Sequence, residues 1–316
     1  MTQYLPILGA TLSATGPIFF LILLGLLIKV IGWVDDAFVD TSSKLVFNLC
    51  LPVLLFTTII RLDLSETLAL GALAFSLIGT VAAFLLSWLV ALLLVRERAD
   101  RGVFVQGSFR GNLAVIGIAL CASAYGEPGL VIASLLMAVM TILYNILSVI
   151  VLAWYAGAAA SWQSIVGGIA KNPLIIAIVA ALIVAWLRVP LPQVALETGS
   201  YLGSMALPLA LLGSGAGLSL KVLRDASYVT ALCLLMKLVI IPFGLTGVAW
   251  YLGFEGTVLG VMFLLFVSPT AVASFVMVKS MGGNDRLAAN LVMTTTLLSV
   301  ISTSIGLFVL KASGLA

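Results

Sequence analysis

In a chain that is 63% hydrophobic and 9% charged, the residues able to do chemistry are few and are marked out by where they stand. Arg110-Gly111-Asn112 interrupts one long apolar run and Ser268-Pro269-Thr270 interrupts another, while Asn48, Asn145 and Lys237 lie alone inside three more. These residue types supply cations, amides and hydroxyls, the donors that recognise a carboxylate. They do not supply a catalytic set. None of the 316 residues is a histidine, and the 12 acidic residues, from Asp35 to Asp285, all fall in or beside the punctuation between apolar runs. A nucleophile with its base, or a metal with its ligands, has no donor set here, so neither an intramembrane enzyme nor a metal or cofactor is expected. Cys50, Cys121 and Cys233 sit in apolar runs without paired spacing and read as small packing residues.

The two interruptions are backbone events. Gly111 exposes peptide groups, and Pro269 lacks an amide and clashes with the preceding turn, so both runs are expected to be broken helices. In a bilayer, backbone freed in this way is tolerated only when buried in protein or lining a water-filled cavity. The breaks also share a register, Leu113-Ala114-Val115 matching Thr270-Ala271-Val272 at an offset of 157 residues. Paired breaks in two halves point to a transporter binding site. Asn112 can cap the second half-helix, or it can join that helix's unpaired amides and positive dipole end in holding an anion. Arg110, about 10 Å into its span, can serve the same site or snorkel to the surface.

Lys237 lies about 15 Å into its run, near the midplane. A lysine there costs about 2.5 to 3.5 kcal/mol on insertion scales, which favours a functional role. Its alternative is structural, an ammonium bonded to carbonyls freed by the breaks. As the deepest titratable group it is the candidate to take up a proton together with the anion; facilitated uniport, and sodium bound by freed carbonyls, are the rivals. Asn48 and Asn145 can line the site or act as interhelical glue. Gly213-Ser214-Gly215-Ala216-Gly217 follows no strand and reads as close helix packing, not a nucleotide loop.

The elements that must position these residues are membrane spans. Apolar runs long enough to cross a hydrocarbon core of about 30 Å cover approximately residues 8–31, 40–60, 67–95, 103–125, 129–155, 165–187, 194–219, 228–252, 257–279 and 287–311. The first has no basic residue before it and Lys29 after it, the reverse of a secretory signal, and is read as a retained span. Short loops leave no room for a soluble domain. One face collects Lys29, Lys44, Arg96, Arg98, Arg101, Lys171, Lys221, Arg224, Lys279 and Arg286, against Arg61, Arg188 and Lys311 on the other. The first face should be cytoplasmic and both termini extracytoplasmic. A net charge of +3 gives no argument for nucleic acid. Leu51-Pro52 answers Leu207-Pro208 at an offset of 156, and Gly126 with Leu130 answers Gly283 with Leu287 at the 157 of the breaks. The chain therefore reads as two five-span repeats, 1–157 and 158–316, and an odd number of spans in each makes the repeat inverted.

Six stretches in order, Leu51-Pro-Val-Leu-Leu-Phe56, Arg110-Gly-Asn-Leu-Ala-Val-Ile-Gly117, Lys171-Asn-Pro-Leu-Ile-Ile176, Leu207-Pro-Leu-Ala-Leu-Leu212, Lys237-Leu-Val-Ile-Ile-Pro242 and Ser268-Pro-Thr-Ala271, resemble the auxin efflux carrier family. The resemblance spans the chain. It implies an all-α polytopic membrane protein of ten transmembrane helices in which the fourth and ninth cross at their breaks, similar to sodium/proton antiporters and bile-acid symporters. It further implies a dimerising scaffold from helices 1, 2, 6 and 7, and a moving transport unit from helices 3 to 5 and 8 to 10. Plant members carry a long loop between helices 5 and 6, where this chain has only residues 157–163, as in a prokaryotic member. Many members also have a proline in helix 4 where this chain has Ala119. The expected function is secondary transport of a small organic anion, a mono- or dicarboxylate, across the inner (cytoplasmic) membrane, with a facilitated uniporter or channel as the alternative.

Overall fold

The computed structural model describes residues 4–60, 70–156, 173–218 and 227–316. These form helices α1 (Tyr4–Ile31), α2 (Asp36–Ile59), α3 (Leu70–Leu94), α4 (Arg98–Phe109), α5 (Ile118–Ala156), α6 (Pro173–Trp186), α7 (Gln193–Ala216), α8 (Tyr228–Tyr251), α9 (Gly256–Val267), α10 (Val272–Ser280) and α11 (Asp285–Ala312). Among the described residues there is no strand, only an isolated antiparallel bridge between Gly111 and Thr270. Lys171, Lys221 and Arg224, used above to orient the chain, lie outside the described residues, as does Arg61.

By length and apolarity, six helices among the described residues can cross a bilayer: Pro6–Ile31, Asp36–Ile59, Leu70–Leu94, Leu113–Tyr155, Tyr228–Tyr251 and Asp285–Ala312. The difference from ten runs has local causes. The expected ninth run is divided into α9 and α10 by the break at Pro269, and the first part of the sixth falls outside the described residues. The helix α7 has 24 residues, but glycines, serines and Glu197 dilute its apolarity. The 43 residues of Leu113–Tyr155 would make a straight helix about 65 Å long, twice a hydrocarbon core. They do not run straight: Gly126, at φ 63° and ψ −147°, occupies a region open to glycine, and Pro128 follows.

The outer surface is apolar. Phe20, Leu23 and Leu27 on α1, Leu85, Leu89 and Leu92 on α3, and Leu298, Ile301 and Ile305 on α11 are exposed at helical spacing, forming apolar outward rows. Inside, several hydroxyls are satisfied within their own helices: Thr80, Ser87, Thr294, Thr295 and Thr296 each donate to the carbonyl four residues back. The helix α1 packs chiefly against α7, and α2 against α6 and α7. Methyl groups on Gly25 or Gly215 would run into the carbonyls of Leu212 and Ile22, so the glycine-rich end of α7 is a packing surface. The helix α9 lies against α5 and α8, and α4 against α3 and α5.

Candidate functional site

The two breaks meet. The amide of Asn112 donates to the carbonyl of Pro269 at 2.7 Å, beside the Gly111–Thr270 bridge, so the extended segments between half-helices pair as antiparallel backbone. Pro269 has no amide to offer Leu265, and the carbonyl of Leu265 instead accepts from Ser268 Oγ at 2.8 Å. The amide of Thr270 turns aside to Thr295 Oγ1 at 3.1 Å, and Thr270 Oγ1 donates to the carbonyl of Gly107 at 2.7 Å. The crossing is tight because Gly111 lacks a side chain. A methyl there would lie 2.5 Å from Ser268 Oγ and 3.3 Å from Lys237 Nζ.

Beyond the crossing, the chain resumes as a π-turn, Leu113–Gly117, whose first carbonyl, that of Asn112, accepts from both Ile116 and Gly117 at 3.1 and 3.0 Å. The amides of Leu113, Ala114 and Val115 precede that first bond and are the positive end of the half-helix. On the opposing segment, α10 starts at Val272 from an extended Ala271. Both starts, Leu113 to Val115 and Ala271 to Ala273, line one cavity of about 810 Å³. Arg110, Asn112, Asn48, Asn145 and Tyr144 line it as well, and Phe47, Leu209, Val272, Phe275, Val276 and Val292 give it an apolar wall.

Arg110 is the cavity's cation. It is 7% exposed, and its guanidinium donates to Asn145 Oδ1 at 2.9 Å, Ser148 Oγ at 3.2 Å and Met277 Sδ at 3.0 Å. All three partners are neutral. Among the described residues one ion pair exists, Lys29 with Asp36 at the surface, so no described carboxylate neutralises Arg110. The guanidinium is buried and bonds inward, to side chains of α5 and α10, and does not reach the surface. Asn112 is a lining residue whose side chain makes no capping bond.

The structure therefore gathers Asn48, Arg110, Gly111, Asn112 and Asn145 in one cavity and leaves Ser268, Pro269, Thr270 and Lys237 behind the crossing. Lys237 has no exposed surface and donates to the carbonyl of Phe266 at 3.3 Å, the structural alternative weighed for it above. Asn48 and Lys237 both lie in π-turns, Val46–Cys50 and Met236–Ile240, each followed at once by a proline pair, Leu51-Pro52 and Ile241-Pro242. A π-turn accommodates the missing proline amide and swings the preceding side chains round the helix. Ser148, Tyr144 and Thr141 were not singled out in the sequence. Their signal was present: with Asn145 they stand at i, i+3, i+4 and i+7 of one helix face in an apolar run.

Comparison with known proteins gives this geometry a family. A family model described as membrane transport protein matches residues 11–307. The chain belongs to this auxin efflux carrier-type family of membrane transporters. An uncharacterized transporter of Methanothermobacter thermautotrophicus is similar to it, 26% identical over 295 residues that cover 89% of this chain and 92% of the relative. The transporter is thus a multi-pass membrane protein whose two helix breaks meet beside one cavity.

Proposed function

We propose that the chain is a secondary transporter that carries a small organic anion, a mono- or dicarboxylate, across the cytoplasmic membrane by alternating access. One observation carries the reading: a buried guanidinium, Arg110, lines the cavity with only neutral partners beside the starts of two half-helices. A charge held without a counter-ion in a low-dielectric interior is expensive, and an anionic substrate is what offsets it. Its carboxylate would meet Arg110, Asn112 and the amides of Leu113 to Val115, and its body would lie against Phe47, Leu209, Val276 and Val292.

The reading includes ten spans in two inverted repeats, residues 1–157 and 158–316. The kink at Gly126 and the split at Pro269 support the boundaries it needs. The mutual packing of α1, α2, α6 and α7 supports a scaffold unit, through which the protein would form a homodimer, with the remaining helices as the moving unit. The cavity lies between the two sets, since Val46, Leu174 and Leu209 belong to one and Arg110, Asn145 and Val272 to the other. A carrier is distinguished from a channel by trans-stimulation. Proteoliposomes preloaded with the unlabelled carboxylate should take up the labelled one faster than empty ones; equal rates with unsaturable flux would indicate a channel.

A further inference from the structure

The crossing releases carbonyls, and in a membrane interior a group of freed carbonyls is a place for a metal cation. Here four of them accept from donors of the chain itself. Leu265 takes the hydroxyl of Ser268, Gly107 the hydroxyl of Thr270, Pro269 the amide of Asn112, and Phe266 the ammonium of Lys237. The last is the unusual one. In an unbroken helix Phe266 would accept from the amide of Thr270, but that amide is turned to Thr295 Oγ1. A neutral donor would satisfy the carbonyl. The donor is instead the side-chain nitrogen of a lysine, with no exposed surface and no carboxylate in ion-pair reach among the described residues.

The geometry points to Lys237 as a tethered cation: its ammonium occupies, at the negative end of the half-helix α9 and against Gly111, the place a coupling alkali-metal ion would otherwise take. The C-terminal carbonyls of α9 carry partial negative charge that a cation neutralises. The side chain enters from α8, and its Nζ lies 3.3 Å from where a Cβ on Gly111 would be, so one glycine separates it from the cavity. The positive charge is fixed to the protein and does not travel. The transporter therefore binds its anion without sodium, and removal of the lysine side chain opens a site that a free monovalent cation can fill.

The experiment uses purified, full-length protein without substrate, so its outcome is separate from the anion reading above. Melting temperatures are measured for wild type, Lys237→Ala and Lys237→Gln in sodium, lithium or methylammonium chloride against N-methylglucamine chloride at equal ionic strength. The wild type should be indifferent to the cation. Lys237→Ala should melt lower, and sodium or methylammonium should raise its melting temperature by about 2 °C or more. Lys237→Gln, which keeps a donor for Phe266 but no charge, should gain less. A wild type stabilised by sodium overturns the inference, as does a Lys237→Ala protein that no monovalent cation stabilises. If Lys237→Ala does not fold, Lys237→Gln and the wild type decide: a sodium response in the wild type, or none in Lys237→Gln, overturns it.

Discussion

Replacing Arg110 with methionine separates the two things a buried cation does, because stability and binding should respond differently. The guanidinium holds Asn145 Oδ1 and Ser148 Oγ at 2.9 and 3.2 Å, and losing it leaves both without that donor, a cost of about 1 kcal/mol each. Against this, a buried charge with no carboxylate near it is removed, which is neutral or stabilising by about 1 to 4 kcal/mol where a buried ionic group is replaced by an apolar side chain of similar size. The terms oppose, and the substrate-free melting temperature should stay within about 3 °C of wild type. Binding has no such compensation. A guanidinium and a carboxylate about 4 Å apart attract by about 4 kcal/mol at an effective dielectric constant of about 20. After desolvation, a charge-assisted hydrogen bond of this kind retains about 1.5 to 3 kcal/mol, which is about 10- to 150-fold in Kd. Equilibrium binding of a labelled carboxylate to wild type, Arg110→Met and Arg110→Lys is the assay. The lysine variant should fall between the others, since it keeps the charge and loses the planar fork. A Kd for Arg110→Met within about twofold of wild type, in a protein that is folded, would refute the assignment of Arg110 to the anion.

Three further outcomes follow from the same geometry. Asn112→Ala removes an amide that makes no capping bond, so it should weaken carboxylate binding about 3- to 10-fold without lowering the melting temperature; unchanged binding would move the site elsewhere. Gly111→Ala places a methyl 2.5 Å from Ser268 Oγ and should destabilise by about 1 to 3 kcal/mol, seen as a lower melting temperature with slower uptake; a protein of wild-type stability and rate would show that the crossing is looser than described. Cysteines placed at residues 3 and 314 of a chain lacking Cys50, Cys121 and Cys233 should react with a membrane-impermeant maleimide added outside intact cells; labelling only from the cytoplasmic side would reverse the topology.

Much of this site could be read in the sequence because it is written in backbone chemistry. Pro269 cannot complete a helix, and Gly111 with Asn112 opens one, so both breaks were visible without coordinates, and their pairing followed from a shared register. Seclusion was also readable, since Lys237, alone inside its apolar run, has no exposed surface. Direction was not. Position along a helix fixes depth, whereas the side chain's bearing depends on local twist, and the π-turn at Met236–Ile240 aims Lys237 at Phe266 and not into the cavity. Arg110 was balanced between surface and site for the opposite reason. Its long side chain could reach either, and its inward bearing is set by Asn145 and Ser148 on another helix, a tertiary fact that no local pattern contains. The boundary between the fourth and fifth runs was legible for a local reason: Gly126, non-helical at φ 63° and ψ −147°, kinks the chain between two helices where the expected spans part.

The central claim, that an uncompensated Arg110 beside two half-helix starts makes this cavity a carboxylate site, is tested most directly by initial uptake into proteoliposomes containing the wild-type protein. A labelled panel of aliphatic and aromatic mono- and dicarboxylates is compared with the matching neutral amides. The account predicts saturable uptake of at least one carboxylate, inhibited by its unlabelled form, with its amide carried at least about tenfold more slowly. An amide carried as fast as its acid, or uptake of a neutral or cationic solute with no carboxylate carried at all, would contradict it.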